Sequence, residues 1–317
     1  MKKKKDAKAI MQEYGIFFIF LIIVIIMMIV TPTFRKPMNL LNIIKQSSVN
    51  GILAFGMMIV VITAGIDLSM GSIVGVAGVC AALFAHPGEY PLIVPILVAL
   101  LVGAAFGLIN GVGVAYGDLP PFIITLGTMS IARGLALVIS DGIPIIDLSD
   151  KFTGIASSSV VGIPSLTFFF VGVAVVFAFV LNKTVFGRHV YMIGGNATAA
   201  KVSGINVKLH LVIVYTLAGL CSGLGGLLMA SRTNQGSPQM GQSYEMDAVT
   251  AVVIGGVSMA GGVGKSYGVV IGALLITVIE NALTIFGVDS NWKQVVKGLI
   301  IIGAVLLDVK TKGKKEG

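Results

Sequence analysis

The chain is short of charge. Of its 317 residues, 11% are Asp, Glu, Lys or Arg, against about 25% in soluble domains. Between Lys45 and Arg133 there is no Lys or Arg, and Asp67, Glu89 and Asp118 are the sole carboxylates of that span. With 56% hydrophobic residues and a mean hydropathy of +0.99, a soluble fold could not hide so much apolar surface. Cysteine is scarce too. Cys80 and Cys221 both lie in apolar segments, read as ordinary buried thiols and leave the redox compartment open. His86, His189 and His210 are scattered, without the spacing of a metal site. "GGVGKS" (261–266) looks like part of a phosphate-binding loop, but the full pattern needs Gly at 259, where Met259 stands; no nucleotide site and no catalytic constellation are expected in this chain. The net charge of +8 comes from basic residues dispersed at segment ends and in the tails, a pattern that sets membrane orientation and does not indicate nucleic acid.

What is present is hydrophobic length. The expected fold is an all-α polytopic membrane protein of about ten transmembrane helices, one or two short or broken, each needing roughly 20 residues. The expected spans are 15–32, 46–65, 69–86, 91–116, 121–140, 163–182, 209–231, 245–260, 266–287 and 293–309, the eighth short and Gly-rich. The basic start and the apolar run from Gly15 to Val30 lack a small-residue cleavage site and read as an uncleaved first span. Placing the N-terminus inside puts Lys2 to Lys5, Lys8, Lys183, Arg188, Lys201, Lys208, Lys265, Lys310, Lys312, Lys314 and Lys315 on the inner side, fourteen of the 22 basic residues. The chain then divides into a cytoplasmic tail (1–14), one permease domain (15–309) with a cytoplasmic loop at 183–208, and a basic tail (310–317), with both termini cytoplasmic.

Asp67 sits at the expected junction of the second and third spans, among Gly65, Ser69 and Gly71. One reading is a capped turn at the inner interface, Gly65 ending one helix and Asp67 or Ser69 capping the next. The other is a broken helix whose positive end faces a transport path. Small residues recur at four-residue spacing (Gly71 and Gly75; Gly103, Gly107 and Gly111; Gly219 and Gly223; Gly268 and Gly272), which lets helices approach closely in a bilayer. "LINGVGVAYGD" echoes "VIENALTIFGVD", and "GIDLSMGS" echoes "GGVSMAGG"; in opposite orientation these would form an inverted repeat. Arg133, Glu280 and Lys297 lie in apolar stretches, where snorkelling or mutual pairing competes with lining the outer mouth of a path. Glu245 and Asp247 begin the eighth segment, where carboxylates suit a helix N-terminus.

The longest inner hydrophilic stretch is "NKTVFGRHVYMIGGNATAAKVSGINVK" (182–208). Asn196 is a good N-cap, "ATAAKVS" a short helix, and Gly204 a good stop. Such a helix is unstable alone, and its small side chains fit a groove supplied by a partner or an ordinary connecting loop equally well.

Several stretches carry a resemblance: "NLLNIIKQSSVNGILAFGMMIVVITAGIDLSMGS", "PFIITLGTM", "FGRHVYMIGGNATAAKVSGINV", "YEMDAVTAVVIGGVSMAGGVG" and "VVKGLIIIGAVLLD". In this order, from about Asn39 to Asp308, they resemble the sugar-transport permeases of bacterial ATP-binding cassette importers, the ribose and methylgalactoside permease family. The resemblance implies a permease homodimer in the bacterial inner membrane, two cytoplasmic ATPase subunits that bind ATP and Mg, and an extracytoplasmic sugar-binding protein. It also implies that Gly194, Gly195, Asn196, Ala199, Ala200, Lys201 and Gly204 form the helix that docks into the ATPase. Phrases of both the galactoside and the ribose branch occur, so the expected cargo is ribose or a related monosaccharide such as galactose. Ser69, Asn110, Thr125, Ser130, Thr277 and Asn281 are the candidates for a translocation path. The competing classes are an ion-coupled secondary transporter of a small polar solute, which would bury paired charges near the midplane, and a membrane-embedded enzyme. The capped inner loop and the lack of an ATP motif favour the ATP-driven permease.

Overall fold

The computed structural model describes residues 7–313, with side chains described for 15–303, 305 and 306; Lys2 to Lys5, Lys314 and Lys315 lie outside the described residues. The helices are α1 (Ala7–Val30), α2 (Pro37–Ile62), α3 (Met70–Leu83), α4 (Ile93–Ala115), α5 (Pro121–Ile139), α6 (Asp150–Ser157), α7 (Ser165–Lys183), α8 (Val185–Gly195), α9 (Ala197–Val202), α10 (Val207–Thr233), α11 (Tyr244–Ile254), α12 (Ser266–Ile285) and α13 (Ser290–Gly313).

Among the described residues, six helices are long and apolar enough to cross a membrane: α2, α4, α5, α7, α10 and α12. Gly15–Val30 of α1 and the whole of α3 are apolar but shorter. The eighth expected span is reduced to α11, whose 11 residues reach about 16 Å at 1.5 Å per residue. The all-α expectation needs one small correction. Ser159–Val160 (β1) pairs antiparallel with Ile163–Pro164 (β2). Val161 and Gly162 between them have φ of 52° and 77°, the left-handed pair that a tight two-residue hairpin requires.

The core is built around α2. From Ile52 to Ile62 its apolar side chains have no exposed surface, because α7, α10, α11 and α12 pack around it. A helix apolar on every side belongs in the middle of a bundle. α4 and α10 pack backbone to backbone: a Cβ on Gly103 would collide with the carbonyl oxygen of Gly219, and one on Gly219 with that of Gly103. The outside is equally apolar. Leu101 of α4, Val138 of α5 and Val175 of α7 are exposed to 67%, 72% and 62%, an outer belt suited to lipid rather than water.

Candidate translocation and coupling site

After Ile62 the chain reverses. Ala64 takes a left-handed conformation (φ 61°), and the Gly65 amide bonds back to the Val60 carbonyl at 3.1 Å. Residues 63–69 therefore turn back beside α2, and α3 starts inside the protein. Asp67 has no exposed surface, so the turn is enclosed by the protein. Its carboxylate accepts the Ser69 amide at 2.9 Å and the Ser69 hydroxyl. These bonds hold the turn itself; no amide of α3's first turn is among them. The network continues. Asn110 Nδ2 of α4 donates to Ser69 Oγ at 2.8 Å and lies 3.4 Å from Asp67 Oδ1. Thr128 Oγ1 of α5 donates to Asn110 Oδ1 at 2.6 Å. The Tyr215 hydroxyl of α10 reaches the Ile66 carbonyl at 3.4 Å. Three helices, α4, α5 and α10, are thus tied to one buried turn, each polar group meeting a partner as burial demands.

The same end of α2 meets the hydrophilic loop. Thr184 caps α8, its Oγ1 accepting the Gly187 amide at 3.1 Å. Asn196 caps α9, its Oδ1 accepting the Ala199 amide at 2.9 Å, and Gly204 follows with φ +83°. Ala200 is buried with Ile193 and Ile205, while Gly195, Ala199, Lys201 and Val202 are exposed. The loop is fastened at two points. Tyr191 O–H donates to the Gly264 carbonyl at 2.8 Å, and burial pushes that phenol up, keeping its proton. Gly194 lies against backbone: a Cβ there would strike the Ile62 oxygen and fall 2.6 Å from the Gly262 nitrogen. Gly262 N itself donates to Ile62 O at 2.9 Å. The segment 261–266, which only resembles a phosphate loop, is here the surface on which α8 rests.

A second feature lies where α3 and α11 begin. α3 and α11 are both short, and their N-terminal ends meet: a Cβ on Gly71 would collide with Glu245 Oε2 and the Gly241 oxygen. Arg133 of α5 does not snorkel. Its guanidinium donates to the carbonyls of Pro238, Met240 at 3.0 Å and Gly71 at 3.4 Å, clamping the 234–243 connection to α3. Lys297 of α13 pairs with Glu280 of α12 and with Asp247 of α11 at 2.8 Å, and Gln46 of α2 donates to Glu280 at 2.9 Å. Buried charges survive in such settings when paired.

Of the six path candidates, Ser69, Asn110, Thr125 and Thr277 have no exposed surface. Thr125 and Thr277 bond the carbonyls of Pro121 at 2.7 Å and Ala273 at 2.9 Å, each within its own helix. Asn281 exchanges bonds with Asn39 at 3.1 and 2.8 Å, joining α12 to α2. Ser130 alone of the six stands on the wall of an open cavity. Thr128, Tyr215 and the glutamines of "NQGSPQMGQS" (234–243) were not anticipated. For the glutamines the signal was present, a polar loop too rich in amides for a plain connection between apolar helices.

A bundle of apolar helices with an apolar exterior, buried polar ties and one fastened hydrophilic loop defines a multi-pass membrane protein of the permease class. The family described as Branched-chain amino acid transport system / permease component matches residues 39–305. The ribose import permease of Bacillus subtilis (strain 168) is 42% identical over 311 residues, 98% of this chain and 96% of that protein. The galactose/methyl galactoside import permease of Salmonella typhimurium is 40% identical over 331 residues, 99% of this chain and 98% of its own. The D-allose transport system permease of Escherichia coli (strain K12) is 39% identical over 308 residues, 97% and 94%. No solved structure matches the chain. The chain belongs to this family of import permeases, together with the ribose, methyl galactoside and allose proteins.

Proposed function

We propose that the chain is the membrane-spanning subunit of an ATP-binding cassette importer that carries a monosaccharide, ribose or a related pentose or hexose such as galactose, into the cytoplasm. The pattern of relatives supports the cargo class. In this reading α8 and α9 lie on the cytoplasmic side with both termini, a second copy of the chain completes the permease, and a binding protein on the outer face delivers the sugar. α1, α13 and the half-length α3 and α11 bring the crossings to about ten. The meeting of the α3 and α11 N-termini supports an inverted repeat.

The observation that carries the proposal is α9. It is a six-residue helix, too short to stand alone, yet capped at its start by Asn196, stopped at Gly204 and anchored by Ala200. Its exposed surface is small or flexible, the shape a groove in a separate ATPase would receive. Through Gly194 and Tyr191 it bears on Ile62 and the 261–264 segment. A push on α9 would reach both the turn holding Asp67 and the start of α12, giving a contiguous route for the ATPase to tilt the bundle. ATP and Mg belong to that partner.

Replacing Ala199 by Trp is expected to abolish sugar uptake while leaving permease abundance in the membrane within about twofold of wild type. The side chain is exposed, so folding tolerates it, whereas a docked groove does not. Co-purification with the ATPase and uptake of labelled sugar check this. An Ala199→Trp protein that holds its ATPase and transports normally contradicts the docking role.

A further inference from the structure

We propose that the cavity between α5, the N-terminus of α3 and the 238–245 segment is a low-affinity monosaccharide site, the station at which sugar waits inside the permease. This rests on the monosaccharide reading above. The cavity has a volume of about 540 Å³, within the range of small-molecule sites. Ser72, Ser130, Arg133, Gln239, Gln242 and Glu245 are on its wall. Those are hydroxyls, amides and one opposed charge pair, the groups that match the alternating donors and acceptors of a sugar.

Three observations carry the assignment further than lining alone. The first is position. Ser130 stands at the middle of the 19-residue α5, so the cavity opens halfway along the bundle. Exposed amides at that depth cannot face hydrocarbon, which offers them no hydrogen-bond partner. Ser130, Gln239 and Gln242 are exposed on the single chain, and they therefore face water or the second copy of the chain rather than lipid.

The second is the division of labour within the wall. Arg133 is spent on the carbonyls of Pro238, Met240 and Gly71, and Gln239 Oε1 accepts from Ser237 Oγ at 2.8 Å. Ser130 Oγ donates to the Leu126 carbonyl at 3.2 Å, so its lone pairs, the Gln242 amide and the Glu245 carboxylate are what this frame presents to a ligand. A few such hydrogen bonds, each modest in net strength, give a site that holds a sugar briefly and releases it, as a transport intermediate must.

The third is the shape of the wall at Gly134. A Cβ added there meets no atom within 4 Å, although Gly134 lines the cavity. A larger residue at 134 would fill the space without displacing the protein around it. Gly172 of α7 is equally open and exposed but lies away from the cavity, which makes it a matched control.

The experiment compares Gly134→Leu, Gly172→Leu and Ser130→Cys in the full importer reconstituted in proteoliposomes. Wild-type uptake of labelled ribose and galactose is measured first; if neither sugar enters, the monosaccharide reading fails and this site fails with it. Given wild-type uptake, Gly134→Leu is expected to lower the rate at least tenfold at unchanged permease content, and Gly172→Leu to leave it within twofold. Ser130→Cys, made with Cys80 and Cys221 replaced by Ser, is expected to react with a charged methanethiosulfonate reagent. Tens of millimolar of the transported sugar should slow that reaction at least twofold, and an equal osmolality of a disaccharide should not. Normal uptake by Gly134→Leu, or modification of Ser130→Cys that sugar does not slow, overturns the cavity assignment while leaving the importer reading intact.

Discussion

Gly194→Leu is expected to remove most of the permease from the membrane, and the neighbouring Gly195→Leu to leave its abundance unchanged. Both glycines end α8 and both belong to the loop assigned to the ATPase, but their surroundings differ. A Cβ at 194 would lie 2.6 Å from the Gly262 nitrogen and 2.8 Å from the Ile62 carbonyl carbon, besides striking the Ile62 oxygen. All of these are backbone atoms at the end of the most buried helix, and Gly262 and Ile62 are bonded to each other. Neither can yield without breaking that bond or lifting α8 from its seat. Overpacking a rigid contact costs about 1–3 kcal/mol and occasionally more, and here Tyr191 would lose its bond to Gly264 as well. At 195 a Cβ meets nothing within 4 Å. Immunoblots of membranes, with uptake normalised to permease content, separate the two. Equal abundance of both variants would show that α8 is not seated on Ile62.

The second large effect is expected at Asp67. Asp67→Leu places an apolar side chain where the Ser69 amide and hydroxyl and Asn110 now find their acceptor. Each buried polar group left unsatisfied costs about 1–3 kcal/mol, so folded permease should fall severalfold. Asp67→Asn keeps an oxygen for the Ser69 amide and should retain most of both abundance and uptake. A path carboxylate would behave otherwise: Asp67→Asn would then stop transport at full abundance. Measuring uptake and abundance of both variants decides between a structural tie and a charge in the path.

These residues also mark how far the sequence could be read. The apolar segments were legible because hydropathy is a local sum, and the α9 cap because Asn196 and Ala199 are three residues apart. Asp67 was visible as a charge in an apolar tract, but its partner Asn110 is 43 residues away and Thr128 a further 18. No periodicity predicts that α4 and α5 bring those side chains to one turn. The complete burial of Asp67 was not legible for a related reason. Gly65 and Ser69 signal a turn, but not that residues 63–69 run back alongside α2. Gly194 and Gly195 are indistinguishable as letters, because what separates them is the position of Ile62 and Gly262. α8 went unseen because Gly187, Gly194 and Gly195 interrupt its pattern. The ends of spans were least legible where helices stop midway, as at α3 and α11, since a half-length apolar helix and a full span share one composition.

Energy coupling is the claim on which the rest depends. It is tested most directly in proteoliposomes holding the permease, its ATPase and the sugar-binding protein, by following labelled ribose and galactose with ATP inside or outside, and with imposed proton or sodium gradients. If the chain is the permease of an ATP-driven importer, sugar accumulates when ATP is present on the ATPase side and is indifferent to either gradient. Sugar accumulation driven by an ion gradient without ATP would contradict it and make the chain a secondary transporter.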